Sequence, residues 1–263
     1  MASTRSWLSL YKEHFDLQKY LHEFFTVESG CLPDSVVQPM KQVERVFTSG
    51  LVKGDLMIAY GLYVHSHLLF SACDTFKEII IIDFLDCEVQ HTKKWIKKHP
   101  TAFSWKRSME SAYESEQERK KWSEKEEKSR GLITQVLKGE VTEKGLKAPK
   151  PLPQADCVFC PYILNRLCQG DDAFIASVRN MSLLLKVGGH LLMHVFINAT
   201  FFMHEDFKFP LLCTDAEFVK KVLSDSGFII NDTELNERKT SKLSHIDFDT
   251  IMFIFASKER DVC

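Results

Sequence analysis

Several groupings in the sequence have residue types and spacing that could do chemistry. The isoleucine run Ile79-Ile80-Ile81-Ile82 ends on Asp83. A carboxylate at the end of a buried strand is placed to accept both hydroxyls of a ribose. The same residue type also caps helices, so Asp83 alone is a weak signal. Gly61 directly follows the apolar run Leu56-Met57-Ile58-Ala59-Tyr60. Glycine there lets backbone approach a ligand and permits positive φ. Cys157-Val158-Phe159-Cys160 has a metal-like or redox-like spacing, and His190 with His194 forms an HxxxH pair. A structural zinc site needs a second ligand pair, and the sequence has no second CxxC. Residues three apart on a strand face opposite ways, so Cys157 and Cys160 read as reduced, buried thiols.

These groups need elements to hold them. Leu17, Tyr20, Leu21, Phe24 and Phe25 fall on one helical stripe with Asp16 as its cap. A second helix is predicted from about 34 to 47. The turn Val52-Lys53-Gly54-Asp55 leads to a strand over 56–60, and helix resumes at Leu68. The isoleucine run is a strand of the kind buried on both faces of a parallel sheet. A helix capped by Asp86 follows, with Leu85, Val89, Thr92 and Ile96 on one stripe. The charged stretch 109–130 reads as a solvated helix face. Strands are expected over 134–142, 155–160, 190–196, 228–230 and 251–255. Between them, a helix is expected from Asp171 to Gly188-Gly189, and Thr214-Asp215-Ala216-Glu217 is a capping box for another. Strands alternating with helices imply a doubly wound, mostly parallel α/β sheet. Its ligands sit beyond the carboxyl ends of the strands. That directs attention to 61–67, Asp83, Glu140 and 160–165.

Composition bounds the function. The chain has 263 residues, 44% hydrophobic and 27% charged, enough for a full core. Thirty-four basic residues against 36 acidic ones give a net charge of -2, which argues against a nucleic-acid partner. No apolar stretch is long enough for a signal peptide or a bilayer span. The expectation is a cytoplasmic monomer acting on a small molecule, with no membrane partner.

The blocks Val52-Lys53-Gly54-Asp55-Leu56, Leu69-Phe70-Ser71-Ala72-Cys73, Phe76-Lys77-Glu78-Ile79, Lys94-Trp95-Ile96-Lys97-Lys98, Glu124-Lys125-Glu126-Glu127-Lys128, Ala155-Asp156-Cys157-Val158 and Leu184-Leu185-Lys186-Val187-Gly188-Gly189 resemble the nicotinamide, indolethylamine and phenylethanolamine N-methyltransferase family, in order and nearly in spacing. The resemblance implies a Rossmann-like class I methyltransferase fold. That is a seven-stranded, mostly parallel sheet with its last strand antiparallel. It implies an N-terminal helical lid over 1–50, a methyltransferase domain over 51–263, and S-adenosyl-L-methionine as cofactor. It also implies which positions bind. Toward the cofactor these are Tyr20, Phe25 (tyrosine in the family), Gly61, Tyr63, His67 (tyrosine in the family) and Asp83. Phe84, Glu88, Glu140, Val141 and Pro161 complete that set. Toward the methyl acceptor they are Tyr20, Val195, Ala199 and Phe202. The acceptor is then an amine, a pyridine or a thioether.

The chain departs from the family at its glycine loop. Asp-x-Gly-Ser-Gly-Pro-Thr is replaced by Ala59-Tyr60-Gly61-Leu62-Tyr63-Val64-His65. Ala59 removes an acceptor beside the cofactor's ammonium, a charged hydrogen bond worth about 1.5–3 kcal/mol. Tyr63 replaces a glycine; at positive φ it would cost roughly 1–2 kcal/mol. The sequence therefore predicts a firm hold on adenosine and a weakened hold on the methionine end. Val195 and Ala199, in place of an acid and a serine, predict an apolar, neutral acceptor. A catalytically inactive relative acting as a binding or scaffold protein is the alternative that these losses favour.

Overall fold

Continuous apolar runs become the buried strands. The computed structural model describes residues 6–25, 34–106, 109–110, 116–238 and 245–262. Strands β1 (Leu56–Tyr60), β2 (Glu78–Asp83), β3 (Ile133–Lys138), β6 (Ala155–Pro161), β7 (Leu185–Ile197), β10 (Phe228–Glu237) and β11 (Thr250–Lys258) form one sheet in the order β10-β11-β7-β6-β1-β2-β3. β1, β2 and β3 are parallel neighbours, whereas β11 is antiparallel to both β7 and β10. The last strand thus runs against its neighbours, as the resemblance implied. Hairpins β4 (Glu140–Thr142) with β5 (Gly145–Lys147), and β8 (Phe201–His204) with β9 (Phe207–Pro210), stand outside this sheet. The helices are α1 (Trp7–His14), α2 (Leu17–Phe25), α3 (Asp34–Thr48), α4 (Asp86–Ile96), α5 (Glu116–Leu132), α6 (Ile163–Leu167), α7 (Asp171–Leu183) and α8 (Ala216–Asp225). A 3₁₀ helix spans Tyr63–Asp74. No helix among the described residues is long and apolar enough to cross a membrane.

The chain divides into two compact units. One comprises Asp16–Lys138 with Ala155–Cys157. All four isoleucines of β2 are buried there, as expected of a strand covered on both faces. The Asp156 carboxylate accepts the backbone N–H groups of Asp55 (2.8 Å) and Leu56 (3.1 Å), which fixes the entry to β1. A Cβ on Gly54 would lie 2.2 Å from that of Asp156, so this turn requires glycine. Asp16 caps α2 by accepting from the N–H groups of Gln18 and Lys19. The charged helix α5 is more than a solvated face. The Glu126 carboxylate accepts from the Trp95 indole N–H (2.9 Å) and from Arg130 (2.6 Å), and Arg130 lies over the Trp95 ring.

The other unit comprises Met1–Phe15, Gly139–Gln154 and Val158–Cys263. Its buried Lys258 donates to the carbonyls of Ser182 (2.8 Å) and Leu185 (2.9 Å) and pairs with Asp261 (2.6 Å). A cation thus satisfies the exposed carbonyl end of α7, where the helix dipole favours positive charge. Asn165 in α6 accepts from the Phe196 N–H and donates to the Phe196 and Leu212 carbonyls, tying the segments around β7 together.

Four local expectations differ from what is observed. The strand over 134–142 breaks at Gly139, because β3 follows β2 only to Lys138 and Glu140 then pairs with Lys147 of β5. Helix α7 stops at Leu183, so Gly188-Gly189 lies inside β7, with Gly188 at φ +81°. Asp86 is the first helical residue of α4 rather than its cap; Glu88 does the capping. The box at 214–217 caps through Asp215, which accepts from the Phe218 N–H (2.7 Å).

Candidate functional site

Asp83 sits at the carboxyl end of β2, fully buried. Its Oδ2 accepts a hydrogen bond from the Thr92 hydroxyl at 3.0 Å. This bond orients the carboxylate. The parallel register sets Tyr60 beside Ile82, and the Gly61 N–H donates to the Ile82 carbonyl at 2.7 Å. Gly61 has φ +71°, so this position requires glycine. Tyr63 does not share that requirement. It opens the 3₁₀ helix and is not among the positive-φ residues, so the backbone strain considered for it does not arise. The chain leaves Gly61 through Leu62 in right-handed helical conformation, and the loop becomes a helix with a kink at His65. Phe84 is buried edge-on against Tyr60, with ring centroids 5.2 Å apart. The Glu88 carboxylate accepts the N–H groups of Phe84 (3.3 Å) and Leu85 (3.0 Å). Glu88 therefore positions the backbone next to Asp83.

In the same unit, the end of α2 and the 3₁₀ helix build an aromatic cluster. Phe25 lies 5.4 Å from His67 and 5.1 Å from Trp105, centroid to centroid. His67 lies 4.5 Å from Trp105, and Phe103 packs edge-on to Trp105 at 5.0 Å. Burial holds the His67 pKa down at about 3, so its imidazole is neutral at physiological pH. Tyr20 is buried on α2 and rests against Phe24 at 4.4 Å.

The other unit carries the remaining candidates. Glu140 is exposed on β4 and pairs with Lys147 at 2.9 Å. Val141 lines a cavity of about 1140 Å³ together with Thr142, Glu143, Leu167, Gly170 and Asp171, among others. Pro161 ends β6, and the next residue, Tyr162, has φ +59°. Val195 is buried on β7 opposite Met252, and Ala199 is buried beyond the strand's end. Phe202 on β8 stacks on Phe209 at 4.9 Å and approaches Tyr11 and Phe15, over whose rings the Arg166 guanidinium lies at 4.8 and 5.6 Å.

The structure brings Asp83, Phe84 and Glu88 together, and separately Phe25 with His67. Glu140 and Val141 belong to a hairpin outside the main sheet, so the third strand does not present them as its own end. Two residues at these groupings carried no sequence signal as chemistry. Thr92 read only as part of an apolar helical stripe, and Trp105 stood in a loop without periodicity. The thiols of Cys157 and Cys160 are fully buried and pushed above their ordinary pKa by desolvation, which disfavours the thiolate that metal binding needs. His194 is buried and stacked on Tyr162 at 5.2 Å, and His190 contacts the Ser257 hydroxyl at 3.1 Å. Among the described residues, no group of three or more His, Cys, Asp or Glu side chains is arranged to hold a metal ion.

Comparison with known proteins gives the following. The NNMT/PNMT/TEMT family profile matches residues 7–259. Human nicotinamide N-methyltransferase is 34% identical over 222 residues, which is 84% of this chain and 84% of that protein. Rabbit indolethylamine N-methyltransferase (Oryctolagus cuniculus) is 32% identical, again over 84% of each chain. Among solved structures, magnesium protoporphyrin IX methyltransferase from Synechocystis PCC 6803 with bound SAM superposes with TM-score 0.59 at 12% identity, covering 98% of this chain and 99% of that one. At that identity the likeness shows the fold alone.

Proposed function

Because this chain belongs to the NNMT/PNMT/TEMT family, we propose that it is an S-adenosylmethionine-dependent N-methyltransferase of small molecules. The observation that carries this reading is the buried carboxylate of Asp83 at the end of β2, held by Thr92 beside a glycine at φ +71°. Carboxylate oxygens accept readily from vicinal hydroxyls, so a ribose is a ligand of the right kind. The residues fit the adenosine end of the cofactor. Asp83 takes the ribose, and Phe84 gives apolar surface beside it. Glu88 keeps the Asp83–Leu85 backbone in place.

When bound, the cofactor supplies a methyl group made electrophilic by a sulfonium. A pyridine nitrogen, amine or thioether with a free lone pair can take it by in-line displacement without a general base. The protein's work is then to bind, orient and exclude water, and proximity accounts for most of the acceleration. Tyr20 on α2 covers the site, with Phe25 and His67 at the methionine end. Val195 and Ala199 offer no side-chain hydrogen bond, so shape and apolar contact choose the acceptor. Phe202 gives the acceptor an aromatic face, which favours a developing cation. The helices before residue 50 form the lid and residues 51–263 the methyltransferase domain. The protein acts as a cytoplasmic monomer.

The test is incubation with labelled S-adenosylmethionine and a panel of pyridines, arylethylamines and thioethers, read by mass spectrometry. One methyl added to a neutral apolar acceptor supports the reading. Methylation confined to acceptors that need a carboxylate or hydroxyl partner contradicts the apolar pocket, and no S-adenosylmethionine binding at all contradicts the function.

A further inference from the structure

In the second unit the hairpin of β4 and β5 is clamped along α7. A Cβ on Gly145 would lie 2.5 Å from both the Ala173 carbonyl oxygen and the Ser177 hydroxyl, so glycine is what lets the hairpin come this close. The Ser177 hydroxyl accepts from the Leu146 N–H at 2.8 Å, and the Asn180 amide donates to the Leu146 carbonyl at 3.0 Å. β5 therefore runs in the same direction as α7, with the turn at 143–144 toward Asp172 and Lys147 toward Arg179. The hairpin and α7 together wall a cavity of about 860 Å³. Its helical wall is one stripe, Asp172, Ile175, Ala176, Arg179 and Asn180, at i, i+3, i+4, i+7 and i+8. An acid thus stands at one end and a base at the other, about 10 Å apart at 1.5 Å per residue, with apolar side chains between. The hairpin wall repeats this order, with Glu143 at the acid end and Lys147 at the basic end; Lys144, beside Glu143 in the turn, is the exception. Glu143 and Asp172 also border the larger cavity that Val141 lines, so the two cavities meet at the acid end.

The charges of this wall are mostly unspent. Lys147 pairs with Glu140 at 2.9 Å. The side chains of Glu143, Asp172 and Arg179 have no hydrogen bond or ion pair among the described residues. Opposite charges about 10 Å apart attract one another only weakly through water and salt. They are instead complementary to a molecule that carries both signs at that separation. We propose that this cavity is a site for a zwitterionic small molecule of the ω-amino-acid type. Its amine lies toward Asp172 and Glu143, its carboxylate toward Arg179 and Lys147, and its apolar body over Ile175 and Ala176. Guanidinium is suited to the carboxylate because it offers paired N–H donors. None of these residues belongs to the set implied for the cofactor or the methyl acceptor, so the site stands whether or not the chain methylates anything.

The experiment follows amide shifts of the isotope-labelled full chain by two-dimensional NMR. The probes are ω-aminooctanoic acid, whose extended chain spans the stripe; octanoic acid and octylamine, each with one charged end; and glycine, with both charges but without the reach. The ω-amino acid should bind about three- to fivefold more tightly than either single-ended probe, the worth of one exposed ion pair, with shifts on residues 143–147 and 172–180. Arg179→Gln should reduce its affinity to that of octylamine. Asp172→Asn combined with Glu143→Gln should reduce it to that of octanoic acid. All three side chains are exposed, and melting curves establish that the variants are folded. Equal affinity for the ω-amino acid and any of the other probes overturns the site. So do variants that bind it unchanged, shifts confined to other residues, and an absence of shifts at millimolar probe.

Discussion

Replacing Asp83 tests the ribose role, provided that binding is read apart from folding. Its carboxylate is buried, and Oδ2 already accepts from Thr92 at 3.0 Å. Hydrogen bonds to a charged group contribute about 1.5–3 kcal/mol each, and a ribose offers two hydroxyls. Asp83→Asn keeps one acceptor oxygen, which Thr92 can use, but loses the charge and half of the acceptor capacity. The expected loss of adenosine affinity is about 2–3 kcal/mol, roughly thirty- to a hundred-and-fifty-fold. Asp83→Ala removes both acceptors and also strands the Thr92 hydroxyl, which costs about 1–3 kcal/mol of stability. Adding Thr92→Val to Asp83→Ala should recover most of that stability and none of the binding. The assay is calorimetric titration with S-adenosylhomocysteine beside a denaturant melt for each variant. Unchanged affinity in Asp83→Asn would refute the ribose role. Recovery of binding in the Ala/Val double variant would show that the effect had been conformational.

Stability should fall with acid well before the carboxylates titrate. Burial lowers His67 to about 3, His91 to about 4 and His194 to about 3, so below pH 6.5 the unfolded chain binds protons that the folded one does not. Their contribution is complete above pH 6.5 and is lost as pH falls toward those values. For His67 alone the loss is roughly 2 kcal/mol at pH 5. Denaturant melts at pH 7 and pH 5 read it, and His67→Phe should shrink the difference; an equal difference in that variant would contradict the assignment. Lys258→Met should lower stability by about 1–3 kcal/mol, because the Ser182 and Leu185 carbonyls lose their donor. An unchanged melting temperature would show that water replaces the lysine. Gly54→Ala should cost a similar ~1–3 kcal/mol, because its Cβ would displace the Asp156 carboxylate from the N–H groups of Asp55 and Leu56. A variant as stable as the native protein would mean that Asp156 can move without loss.

The sheet was legible wherever burial writes itself as composition. The isoleucine run and Leu56–Tyr60 are strands covered on both faces, and their apolar continuity has no other use. Turn chemistry was legible where one residue does the work, as at Asp16 and Gly61. The errors came where tertiary pairing overrides local pattern. The run 134–142 reads as one strand, yet it divides at Gly139, because β2 ends before it does and β5 offers a new partner. Gly188-Gly189 looked like a helix stop, but Lys258, seventy residues on, ends α7 earlier by taking its carbonyls. The hairpin over 201–210 has few turn residues and passed unnoticed. Asp83 was legible as the residue that ends the isoleucine run, and it is the buried last residue of β2. Thr92 and Trp105 were invisible because a hydroxyl on a helical stripe and an indole in a loop have no spacing to betray them. Tyr63 is the instructive case. A glycine replaced by tyrosine suggested strain, but the positive φ of this turn belongs to Gly61, and Tyr63 begins a 3₁₀ helix.

The most direct test of the account is titration of the purified protein with S-adenosylmethionine and S-adenosylhomocysteine by calorimetry. One saturable site per chain with micromolar affinity, abolished or severely weakened by Asp83→Ala, is the predicted result. An absence of heat with either ligand at millimolar concentration would contradict the account at its root.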